Sequence, residues 1–265
     1  MPDMSASYAK APLSELICGV IFQNNFLIEK SILFEIIGEL SKSEYPIIQT
    51  TPPIFEEEPV GGQLIMNMNY ANTGFTLYRL ISDDKKWMLQ IQQNIILLNW
   101  MRPDDQVVGY YPGFEAVYEK FKKVLNLVKK KLVDSGSPID FYKQVKTYTL
   151  TYQDRIFWQE HINDLSEINK ILRISVPIIP GTDSAPDNIF VRYTLPLKEI
   201  NGYGVISINS AVIHQNNQLL ILECRIKGKY EGEDKTDQWF AKANEIQVKS
   251  FEHSIQEDIL LKWRH

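Results

Sequence analysis

Apolar residues recur along this chain with two periods, and the places where one period gives way to the other divide it into elements. Leu16-Ile17-Cys18-Gly19-Val20-Ile21-Phe22 is a short β-branched and aromatic run, as in a strand covered on both faces. From Phe26 to Ser41, Leu27, Ile28, Ile32, Leu33, Ile36, Ile37 and Leu40 fall three and four apart, which predicts an amphipathic helix ended by Tyr45-Pro46. Gln49 to Gly62 is rich in Pro, Glu and Gly without a period, and predicts a long surface loop. Three strand-like runs come next, Gln63–Tyr70, Gly74–Ser82 and Lys86–Trp100, split by turn chemistry at Asn72-Thr73-Gly74 and Asp83-Asp84-Lys85, as in an antiparallel meander. Phe114, Val117, Phe121, Val124, Leu125, Val128 and Leu132 then mark a helix. Lys129-Lys130-Lys131 falls in its last turn, where cations suit the negative end of the helix dipole, so the triple lysine is read as a helix terminus and not a phosphate site.

From Lys143 the order begins again. Lys143–Ile156 predicts a strand, Phe157–Leu172 a helix with a thinner apolar stripe through Trp158, Ile162, Leu165, Ile168 and Leu172, and Ile174–Ile179, Asn188–Pro196, Tyr203–His214 and Gln218–Tyr230 four more strands. A last helix is predicted from about Asp234 to Lys262. The pattern therefore describes an α+β protein with two similar halves, residues 1–136 and 137–265, each a strand, a helix, an antiparallel sheet and a long helix. Ser135-Gly136-Ser137-Pro138 is a turn and not a linker, so the halves are expected to pack as one rigid unit with helices on one sheet face.

Composition narrows the functional classes. With 44% hydrophobic and 11% aromatic residues the chain supports a real core. A formal charge of −5 argues against a protein whose affinity comes from neutralising phosphates in bulk, leaving nucleic acid only to a local basic patch. Cys18 and Cys224 lie in apolar runs and are expected as buried free thiols. Apolar stretches fall far short of the roughly 20 residues a membrane helix needs. Met1-Pro2-Asp3-Met4-Ser5 lacks the basic and apolar regions of a secretory signal, so a cytoplasmic protein is expected, with no membrane contact.

The element order resembles the tandem helix-grip plan of the TATA-binding protein, an analogy of order that carries no function with it. Several stretches also resemble an uncharacterised bacterial family of sporadic distribution: Tyr8–Phe22, Leu89-Gln90-Ile91-Gln92, Asn99-Trp100-Met101-Arg102, Tyr111-Pro112-Gly113-Phe114-Glu115, Leu150–Ile156, and Phe251-Glu252 with Trp263. The chain departs from that pattern at Gln153-Asp154, where an apolar residue and Asn are expected. The resemblance implies no established activity. Its patchy distribution implies genes carried by mobile elements, such as defence or toxin–antitoxin modules.

Candidate chemistry is sparse. His161, His214, His253 and His265 fall in separate elements with no paired ligand spacing, and no nucleophile elbow, P-loop or dinucleotide fingerprint is present, so no metal and no cofactor are assigned. Asp187 followed by Glu223-Cys224-Arg225 loosely resembles the acid and Glu-x-Lys of metal-dependent nucleases, but Arg225 does not give up its proton as that lysine position requires. The plain reading is a loop residue and a strand charge pair. Trp100, Arg102, Tyr110, Tyr111, Arg155 and Trp158 mix aromatics with cations at strand ends, a set suited to stacking a base or clamping a carboxylate, and equally suited to core packing. Arg102 and Arg155 close corresponding strands and are expected to face one groove. The chain is thus expected to be a non-catalytic module that binds a protein partner, with a metal-dependent nuclease or other hydrolase as the alternative.

Overall fold

The predicted runs condense into one large sheet. A computed structural model describes residues 12–60, 63–66, 74–103, 111–136, 140–175, 186–213, 217–229 and 235–264. In chain order these form β1 (Leu13–Phe22), α1 (Lys30–Ser43), β2 (Ile47–Thr51), β3 (Glu57–Val60), β4 (Gln63–Met66), β5 (Leu77–Ile81), β6 (Trp87–Gln92), β7 (Ile95–Met101) and α2 (Phe114–Asp134). Then come β8 (Val145–Ile156), β9 (Phe190–Leu197), β10 (Gly202–Ile213), β11 (Asn217–Lys229), α3 (Thr236–Ser254) and α4 (Glu257–Arg264). The fold is α+β. Nine strands form an antiparallel sheet in the order β2-β5-β6-β7-β1-β8-β11-β10-β9, and β3 and β4 pair separately.

The two longest-range strands meet at the centre. β1 pairs with β8 from Leu13↔Asp154 to Phe22↔Val145 and with β7 from Glu15↔Met101 to Ile21↔Ile95. Outward from this seam the order is β7, β6, β5, β2 on one side and β11, β10, β9 on the other. Because side chains alternate along a strand, Leu16, Cys18 and Val20 of β1 share one face with Trp100 and Leu98 of β7 and with Tyr152, Leu150 and Tyr148 of β8. All are buried. α2 and α3 cover them, and their rings meet over the seam: Phe240 lies 4.7 Å from Tyr118 and 5.6 Å from Phe121. Several polar groups on this face are paired locally. Tyr118 Oη donates to Asp237 Oδ1 at 2.5 Å and Tyr152 Oη to Asn244 Oδ1 at 2.5 Å, while Gln247 Nε2 donates to the carbonyls of Leu150 and Cys224 at 2.9 and 2.7 Å. Cys18 and Cys224 are buried free thiols.

Several element boundaries differ from the sequence pattern. The expected strand Lys86–Trp100 is a hairpin, β6 and β7, turning at Gln93-Asn94, with Asn94 accepting from Gln92 Nε2 at 2.7 Å. The expected loop over 49–62 takes in the end of β2, an edge strand whose middle residues are exposed and need no apolar side, and all of β3. Instead of a helix over Phe157–Leu172 there are two 3₁₀ turns, 158–160 and 165–170, because Asp164 caps the second by accepting from Ser166 N. The expected strand Ile174–Ile179 lies mostly outside the described residues, and Ile174 and Ser175 are not in a strand. The last helix is two, α3 and α4, broken where Ile255 turns extended and bridges to Leu172. Among the described residues no helix is long and apolar enough to cross a membrane.

Gly19 marks how tightly the seam is closed. A Cβ there would lie 2.3 Å from Leu97 Cδ2 and 2.7 Å from Thr149 Cγ2, inside van der Waals contact on both sides. Gly19→Val should therefore lower stability by about 2–3 kcal/mol through overpacking, measured as a lower urea midpoint; an unchanged midpoint would show that the strands yield.

Candidate binding face

Opposite the helices, the same alternation builds a polar face. Arg79 of β5, Gln90 of β6, Asn99 of β7, Glu15 of β1, Gln153 of β8 and Glu223 of β11 succeed one another across the register or one step along it. They are linked: Arg79 Nε donates to Gln90 Oε1 at 3.3 Å, Gln90 Nε2 to Asn99 Oδ1 at 3.1 Å, and Asn99 Nδ2 to Glu15 Oε1 at 2.5 Å. Arg225 Nη2 donates to Glu223 Oε1 at 2.9 Å. Burial raises the Glu15 carboxyl above its ordinary pKa, opposed by the Asn99 hydrogen bond and the Arg155 charge and reinforced by Glu223.

The chain after β2 is fastened to this face. Gln92, fully buried, accepts from Ile54 N at 2.9 Å and donates to Ile54 O at 3.1 Å, standing in for a strand partner. Two residues on, Glu56 forms an ion pair with Lys146 at 2.9 Å. Beside that pair a cavity of about 960 Å³ opens where β8, β9, β10 and β11 converge. Thr147, Thr194, Tyr203, Lys227 and Lys229 line it from the sheet, and Glu56, Lys146 and Gln23 from its border. Among the described lining residues the charges are three lysines and one glutamate. Lys227 is only 5% exposed, and Lys229 is exposed. Gly202 and Gly228, paired at the rim, let the backbones approach: a Cβ on Gly202 would sit 1.9 Å from the Lys227 carbonyl oxygen.

The residues singled out from sequence are dispersed. Trp100 is core and packs on Tyr111 with ring centroids 5.2 Å apart, and Trp158 is buried in the first 3₁₀ turn; Tyr110 lies outside the described residues. Arg102 lies beside Asp154 on the helix side, whereas Arg155 is on the opposite face, where its charge acts on Glu15. The expected groove shared by the two arginines is therefore not formed, because Asp154 and Arg155 are adjacent in β8 and point to opposite faces. Asp187 is exposed in the loop before β9, and Glu223 is paired with Arg225. Among the described residues no three His, Cys, Asp or Glu side chains cluster as metal ligands.

Sequence reasoning missed the lysines and the fastening. Lys227 and Lys229 were legible as alternation in Glu223-Cys224-Arg225-Ile226-Lys227-Gly228-Lys229, which puts every charge on one side. The Gln92–Ile54 and Glu56–Lys146 contacts join residues 38 and 90 positions apart and leave no local signal. Family models, curated proteins and solved structures offer no match to this chain.

Asp154 is the one carboxylate sealed against the helices among the described residues. Burial pushes it up from 3.8 to about 7, against the pull of the Arg102 charge. An acid with a higher pKa folded than unfolded holds its proton more tightly in the fold, so the stability it carries is complete below 3.8 and lost as pH rises through about 7. Asp154→Asn should remove that loss. Urea unfolding of both proteins from pH 4 to 8 should show the variant gaining on the wild type up to about pH 7 and level above it; a constant difference would contradict the assignment.

Proposed function

We propose that this protein acts by binding, and that it holds an acidic segment of a protein partner on the face of its sheet that no described helix covers. The observation that supports this reading is the 960 Å³ cavity with three lysines and one glutamate among its described lining residues. A pocket of this size suits a few side chains or a small ligand, and its depth on a sheet gives the partner a rigid floor. Lys229, at the exposed end of β11, forms no ion pair among the described residues, so its charge is available without first breaking a bridge. Arg155, whose charge acts on Glu15, and Arg225 extend the same face. An acidic partner would gain from this field without the broad cationic surface that duplex binding needs.

The nuclease alternative draws no support from placement: Asp187 sits exposed in a loop and Glu223 already has a cationic partner. A partner retained from the native host should be identified and its affinity measured by calorimetry against four variants. Lys229→Glu should weaken binding at least tenfold, and Arg155→Ala by about 2 kcal/mol, the level of an anchor residue. Asp187→Ala and Glu223→Ala should bind almost as the wild type. Equal binding by Lys229→Glu and wild type, or Mg²⁺-dependent nucleic-acid cleavage lost in Asp187→Ala and Glu223→Ala, would overturn the reading.

A further inference from the structure

On the helix side, the two flanks of the sheet are covered differently. β5 and β9 hold the same place in the strand order, each fourth outward when counting starts from its own seam strand. Over β5 lies α1, which buries Ile32, Leu33, Ile36, Ile37 and Leu40 and sets Phe34 edge-on to Tyr78 at 5.8 Å. The acidic edge of α1 meets lysines of α2: Glu39 lies 2.9 Å and Glu35 4.0 Å from Lys131, and Glu44 pairs with Lys120. Over β9 no described helix lies, because the chain after β8 forms 3₁₀ turns in place of a counterpart to α1. A groove of about 380 Å³ runs there between β9, β10 and α3.

The walls of that groove repeat what α1 packs against. Its floor is apolar, with Leu197, Ile206 and Ile208, and Ile246 of α3 lines its side. Tyr193 and Leu195 of β9 stand 39% and 44% exposed on this face, an arrangement that water does not favour. Its rim is cationic, with Arg173, Lys242 and Lys249 against Glu199 as the single carboxylate among the described lining residues. Lys242 pairs with Glu199 and Glu245, each at 3.0 Å, and Lys249 with Glu245, as on the other flank Lys120 and Lys131 of α2 pair with Glu44 and Glu39 of the α1 segment. Apolar floor and cationic rim together define the complement: a helix with apolar side chains at three- and four-residue spacing and carboxylates on one flank.

We propose that this groove is a docking site for an amphipathic, acid-edged helix of a partner protein, occupying over β9 the place that α1 occupies over β5. The site is on the opposite face from the lysine cavity and is independent of it. Such docking uses the helix-in-groove mode, with anchors at i, i+3 or i+4 and i+7.

The probe is a fluorescein-labelled synthetic peptide with the sequence of residues 29–44, titrated with the full-length protein and tracked by anisotropy. Binding on the order of 10 μM is expected. Leu195→Asp, a change at an exposed position that the fold tolerates, should weaken it at least tenfold. Lys249→Glu should weaken it several-fold, and a peptide carrying Glu35→Lys and Glu39→Lys should recover affinity for the Lys249→Glu protein. Three outcomes would overturn the proposal. One is absence of binding up to about 500 μM. Another is binding unchanged by Leu195→Asp, which would place the peptide elsewhere or in exchange with α1. The third is sedimentation showing a wild-type dimer that Leu195→Asp dissolves, which would make the occupant a second copy of this chain.

Discussion

The structure depends on the antiparallel pairing of β1 with β8. These strands are more than 120 positions apart in the chain, yet their ladder runs from Leu13↔Asp154 to Phe22↔Val145 and joins the strands before and after residue 136 in one sheet. Placing both at the centre leaves neither with a free edge, so the exposed edges fall on β2 and β9. The seam also fixes the helices. Phe240 of α3 contacts both Tyr118 and Phe121 of α2 above it, and Gln247 donates to carbonyls of β8 and β11 just beyond it. Loop closure over such a distance carries an entropic cost that only a long, close ladder offsets, and Gly19 is what allows Leu97 and Thr149 to come that near.

Once the seam is set, the two faces of the sheet become different solvents. The helix side is dry, which is why Asp154 rises toward neutrality even with Arg102 nearby. The other side sustains a chain of polar side chains from Arg79 through Gln90 and Asn99 to Glu15, each satisfied by the next. A buried polar network of this kind holds side chains in fixed positions. That rigidity supports the proposed role of this face, since a preorganised surface loses less freedom on binding.

Much of this architecture was legible where a single period dominates. The apolar run of β1, the alternation of β8, β10 and β11 and the helical stripes of α1 and α2 each reflect one-sided or two-sided burial, which sequence records directly. Boundaries failed where a short-range device overrides the period. Trp158, Ile162, Leu165, Ile168 and Leu172 keep helical spacing, but the Asp164 cap and the backbone turn at His161 divide them. Gln93-Asn94 turns a hairpin without glycine, where Asn94 Oδ1 accepts from Gln92 Nε2 and Gln93 Nε2 donates to the Ile28 carbonyl. The site was harder still. Arg155 could be placed on the polar face only by knowing that Glu15 pairs opposite Gln153, and Glu56 met Lys146 only through a chain path that no local pattern encodes.

The seam should make residues on both sides of position 136 one cooperative unit, with both proposed binding faces as its consequence. Native-state hydrogen exchange tests this most directly. Amides of β1, β7, β8 and β11 should share one opening free energy equal to that of global unfolding, and all should fall together in Gly19→Val. Exchange of β8 and β11 at a distinctly lower free energy than β1 and β7, or the reverse, would contradict the account.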